Sequence, residues 1–166
     1  MRRLRATLPF ALATLAACSG DDNTTAPAGE RFFADLSGAN EVPAVTTTAT
    51  GRAEFEFINN DAIRFTLSVT GMTGITQAHI HTGTTAQNGP VRVWLLPVNG
   101  TATQTPSVEL TGVIAEGDIA RDWVRGTPVI TFDSLRTLIR TNGAYVNVHT
   151  QLRTGGEIRG QIARTP

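Results

Sequence analysis

Between residues 51 and 58 apolar and polar positions alternate: Ala53, Phe55 and Phe57 fall on one face of an extended chain, and Arg52, Glu54 and Glu56 on the other. Such period-two alternation is the mark of a strand with one buried face. It resumes after Asn59, Asn60 and Asp61, with Ile63, Phe65, Leu67 and Val69 on a common face, so the two runs predict a β-hairpin. Further strands are expected over 31–36, through His79 and His81, and over 91–96, 108–115, 144–150 and 157–163. Between them lie turn signals at 71–74, 83–90, 97–107 and 155–156. One segment, 133–140, has helical rather than strand spacing, with Leu135, Leu138 and Ile139 as its apolar stripe, Thr131 or Asp133 as its cap and Gly143 as its stop. About eight strands and one short crossover helix predict an all-β fold, a Greek-key β-sandwich or barrel.

Composition narrows this reading. Sixteen glycines and eight prolines suit many short strands joined by turns. A folded part of about 135 residues buries roughly two-thirds of its unfolded surface, so one domain needs no disulfide to hold it. The formal charge is zero over the chain, but Arg2, Arg3 and Arg5 belong to the extreme N-terminus; without them eleven arginines face fourteen acidic residues, a net charge of −3. The arginines are scattered singly and lysine is absent, so no basic stripe for nucleic acid exists.

The N-terminus carries its own pattern. Three arginines precede an apolar run from Leu8 to Ala17, too short for the ~20 residues that span a bilayer, so residues 1–17 read as an export signal peptide. The sequence LAAC at 15–18 resembles the bacterial lipobox, which implies that Cys18, the one cysteine, is lipidated and becomes the mature N-terminus. Ser19 stands where a retention signal for the inner membrane would have aspartate, so the resemblance implies an outer-membrane or periplasm-facing lipoprotein. Residues 19–30 hold no aromatic or large aliphatic side chain and are expected to form a flexible tether between Cys18 and a folded domain over 31–164.

The chemistry concentrates in two strands. All three histidines lie in QAHIHTG (77–83) and YVNVHT (145–150). Alternation places His79 and His81 on one face with Gln77, and His149 with Tyr145 and Asn147, while Ala78, Ile80, Val146 and Val148 face the other way. If the strands are neighbours, three imidazoles converge, and a three-histidine set with an open position is an ordinary mononuclear metal site. Gln77, Tyr145 and Asn147 are then candidates to hydrogen-bond across it. The competing reading has the rings bonded to one another, to Tyr145 or to loop carbonyls. Trp94 alternates with Arg92 and Leu96 and can serve either the core or the site, and no serine sits in a G-x-S-x-G context.

Several of these pieces occur together in a known family. FADLSGANEVPAV (33–45), AHIHTG (78–83) with Gly89, Pro90 and Val91, GAYVNVHT (143–150) and GGEIRGQI (155–162) together resemble the CHRD domain, the module first named in chordin. That resemblance implies an extracytoplasmic, non-catalytic binding module whose partner is an envelope protein or polymer, and it gives Glu41 a loop-fixing place in the first motif. The run from Ile63 to His81 is also distantly similar to the stretch leading into the copper ligands of copper–zinc superoxide dismutases, with His149 placed like their last copper ligand and Arg153 near their anion-guiding arginine. This likeness implies a Greek-key barrel and one copper ion, with zinc as the alternative. Full dismutase activity is not expected, because the chain has no fourth histidine for a second metal and no second cysteine for the internal disulfide.

Overall fold

The computed structural model describes residues 29–97 and 109–166. The expected signal peptide, Cys18 and nearly all of the tether, and the loop after Pro97 with Val108, lie outside the described residues. The elements are β1 (Arg31–Ser37), β2 (Thr50–Phe57), β3 (Ala62–Thr73), β4 (Ile75–Thr82), β5 (Val91–Leu96), β6 (Glu109–Ala120), α1 (Phe132–Arg140), β7 (Ala144–Thr150), β8 (Ile158–Gln161) and β9 (Ala163–Arg164). Every strand pair is antiparallel, and the sheet runs β5-β4-β7-β8-β1-β2-β3-β6, with β9 added to β1. Its end strands β5 and β6 approach one another, giving a nearly closed barrel whose cyclic order is 1-2-3-6-5-4-7-8. The consecutive strands β4, β5 and β6, with β7 returning beside β4, form the expected Greek key.

The hairpin predicted from alternation is present, with Ala53 opposite Leu67 and Phe55 opposite Phe65. Its inward side chains join Phe32, Leu36, Ile80, Val93, Val146 and Val148 in one core. Helix α1 adds Phe132, Leu135 and Ile139 to that core. Thr131 is its cap, its hydroxyl accepting from Ser134 N at 3.0 Å, whereas Asp133 pairs with Arg121 at 3.2 Å. The left-handed residue after the helix is Asn142, at φ 56°, rather than Gly143.

Two boundaries differ from the alternation reading for identifiable reasons. The turn expected over 71–74 is mostly strand: β3 continues to Thr73 because β6 keeps pairing with it, Met72 opposite Leu110, across a bulge that absorbs Gly71 at φ 68°. The expected strand over 157–163 divides at Ile162, whose N–H donates to Ala144 O of β7, while Ala163 pairs with Phe33 of β1. The chain there changes partners. Glu30 is already fastened to the domain, its carboxylate meeting Arg140 at 2.5 Å and Arg164 at 3.2 Å.

Candidate metal centre

The site lies on the outward face of β4, β7 and β8. Register decides which side chains meet there: Gln77 stands opposite His149, His79 opposite Asn147 and His81 opposite Tyr145, with Arg159 and Gln161 of β8 continuing the rows. His79 and His149 are therefore diagonal neighbours, within reach of one another across the strand pair. The ligand-capable nitrogens of His79, His81 and His149 all lie within 4.8 Å of one another.

This polar face is not solvated. All seven residues of β7 are buried, and His79 is only 2 % exposed. Loops 83–90 and 151–157 fold over it and fix the rings. His81 Nδ1 donates to Gly89 O and His149 Nδ1 to Thr154 O, each at 2.8 Å. In a neutral ring these bonds leave Nε2 with its lone pair free, the form in which imidazole binds metal. His79 Nδ1 lies 3.2 Å from His149 Nε2. Two nitrogens bound to one zinc ion at 2.0–2.1 Å with tetrahedral angles stand about 3.3 Å apart, so that pair is already spaced as ligands. The buried Nε2 of His81 has no hydrogen-bond partner, and neither has that of His79. The competing reading is met in part: two of the rings bond loop carbonyls, and His79 Nδ1 lies at hydrogen-bond distance from His149 Nε2, while the three rings together offer a set of nitrogens close enough to hold one ion.

The electrostatics keep the rings neutral. Burial pushes His79 down to about 3, helped by the neighbouring His149 and His81. Burial likewise lowers His81 and His149, while the Gly89 and Thr154 carbonyls pull the other way.

The other expected site residues take distinct places. Tyr145 stacks on His81, centroids 4.9 Å apart at 9°, and its hydroxyl accepts from Gly89 N at 3.1 Å. Asn147 Oδ1 lies 3.0 Å from His149 Nε2. Gln77 is half-buried and makes no hydrogen bond to the three imidazoles among the described residues. Trp94 belongs to the site, its ring edge-on to His79 at 4.4 Å. Arg153 is exposed and closes a turn with Thr150 through its backbone.

Two residues of the site were not foreseen as such. Arg159 is 1 % exposed, lies 3.4 Å over the Tyr145 ring, and donates to Thr84 O, Gln87 O and Asn88 Oδ1. Its outward position in the alternation of β8 was the available signal. Glu41 is buried, its Oε1 has no partner, and burial raises its carboxyl to about 7 despite the nearby Arg159.

These features fall inside the motifs that define a family. The family model for the CHRD domain matches residues 32–162, which takes in β1, the histidine strands and β8. The chain is a CHRD-domain protein. Comparison with curated proteins and with solved structures returned no match. The CHRD match thus spans the barrel from Phe32 to Ile162, and the histidine cluster is built entirely within it.

Proposed function

We propose that this CHRD domain is an exported, lipid-anchored module of the cell envelope that holds one metal ion through His79, His81 and His149. Copper is the first choice and zinc the alternative, since an all-imidazole set suits both and intrinsic affinity favours copper. The observation that carries the reading is the convergence of three buried, neutral imidazoles, two of them held in one tautomer by Gly89 O and Thr154 O. Lone buried histidines need only one partner each; here three imidazoles offer nitrogens within 4.8 Å of one another.

The ion serves a carrier or a minimal redox centre on a module that binds an envelope protein or polymer without turnover. The basic, apolar and LAAC pattern of residues 1–18 supports export and lipidation at Cys18, with the membrane as the first partner. Titration calorimetry of the mature protein with Cu²⁺ and Zn²⁺ tests the site: one ion per chain is expected, and none for a His79→Ala, His81→Ala, His149→Ala variant. Equal heats from the two proteins remove the metal. Mass spectrometry of the mature N-terminus is expected to show an acylated Cys18, and cleavage elsewhere removes the anchor.

A further inference from the structure

Three imidazoles leave a mononuclear ion short of the four ligands of a closed tetrahedral site. From the geometry around Asn147 we infer that its side-chain oxygen is the fourth ligand, completing a set of three nitrogens and one oxygen. The inference rests on the metal reading above and goes beyond it by closing the coordination sphere with a residue that is not a histidine.

Asn147 stands directly opposite His79 in the β4–β7 register and two residues before His149, so its amide enters the cluster from within. It is 4 % exposed, and no bulk water competes for it. The contact that matters is Asn147 Oδ1 to His149 Nε2, at 3.0 Å. Because His149 Nδ1 donates to Thr154 O, the neutral ring has no proton left for Nε2. Two acceptors therefore face each other at hydrogen-bond distance with no hydrogen between them. Buried lone pairs so placed repel one another unless a cation lies between them. The separation suits one: an oxygen at 2.0–2.2 Å and a nitrogen at 2.0–2.1 Å from one ion lie about 2.8–3.5 Å apart for angles of 90–110°, and 3.0 Å falls toward the narrow end of that range.

Gly156, at φ 124°, packs against the other end of the Asn147 amide: a Cβ there would strike Glu41 Oε1 and come within 2.8 Å of Asn147 Nδ2. The amide nitrogen lies on the Gly156 side and the oxygen faces His149. An amide turned the other way would donate to His149 Nε2 and present its oxygen to Glu41, and the two orientations respond oppositely to substitution.

Zn²⁺ affinity of the mature protein, measured against a competing chelator, separates them. Asn147→Ala is expected to weaken binding at least tenfold, and Asn147→Asp, which keeps an oxygen at that point and adds charge, to bind at least as tightly as wild type. Cu²⁺ loaded into the Asp variant is expected to keep three coupled nitrogens in its electron paramagnetic resonance spectrum. Wild-type affinity in Asn147→Ala, or a loss in Asn147→Asp as large as in Asn147→Ala, overturns the fourth ligand and leaves the three-histidine site standing. Absence of binding in wild type removes both. Should Asn147→Ala not fold, the near-isosteric Asp variant decides alone: equal or tighter binding supports the oxygen ligand and weaker binding overturns it.

Discussion

At the scale of single residues, the site is a set of buried titratable groups held away from their ordinary behaviour in opposite directions. His79 titrates near 6.5 when unfolded and about 3 when folded. Its neutral form therefore contributes stability that is complete above pH 6.5 and is lost as pH falls toward 3, because the unfolded chain takes up a proton that the folded one refuses. Glu41 runs the other way. Its carboxyl is raised from 4.5 to about 7, so its contribution is complete below pH 4.5 and lost as pH rises through 7, when a charge must form in a buried place. Between pH 4.5 and 6.5 the two effects oppose one another, so metal-free protein is expected to be most stable there in urea denaturation, losing stability below that window through His79 and above it through Glu41. Glu41→Gln should remove only the loss that accompanies rising pH, gaining on the order of 2 kcal/mol at pH 8 and nothing at pH 4.5. A variant no more stable than wild type at pH 8 would show that the carboxyl is solvated after all.

Among elements, β7 stands apart because both of its faces are buried. Val146 and Val148 point into the core, as period-two alternation requires, but Tyr145, Asn147 and His149 are covered by loops rather than water. Arg159 is the latch that holds one of those loops down: it gathers Thr84 O, Gln87 O and Asn88 Oδ1, and Asn88 Nδ2 in turn donates to Val42 O at 2.7 Å. Gly89 in the same loop carries the carbonyl that orients His81, and any Cβ there would collide with Thr82 O. Arg159→Met, which fills the volume but leaves these acceptors unpaired, is expected to cost about 3 kcal/mol or more. Hydrogen exchange should show faster opening of residues 83–90, with metal affinity falling as His81 loses its fixed tautomer. Unchanged protection there would mean that the loop holds itself.

Over the whole molecule, the barrel makes the site by closing. Residues 79 and 149 are seventy positions apart, and only the pairing of β4 with β7 sets Gln77 against His149 and His79 against Asn147. Because that arrangement exists only when the barrel is folded, an ion bound to it stabilises the fold by mass action. At a free concentration a hundred times its dissociation constant it adds ~2.7 kcal/mol. For a domain of this size that is a rise of roughly 10 °C in melting temperature, reversed by a chelator. The triple histidine variant should show no rise. A rise of equal size in that variant would place the ion elsewhere.

The strands, the hairpin and the helix were readable from the chain because each depends on local spacing: period two sorts side chains between faces, and Leu135 and Ile139 declare a helix by themselves. The same spacing put His79 with His81 and His149 with Asn147 on common faces. The sequence did not determine how those faces meet, for register between β4 and β7 is a non-local choice, and a slip of one residue would turn every imidazole to the opposite side. Nor did it tell that the polar face is buried, since alternation marks a polar side chain as outward and a loop packed over it leaves no period of its own. Arg159 escaped notice on that account, and Glu41 was read only as fixing its loop: an arginine or a glutamate reads as solvated until tertiary structure encloses it. Residue type and face were therefore decided by the sequence alone, whereas proximity, burial and tautomer, which make three histidines a candidate metal site, were decided only when the barrel and its loops closed around them.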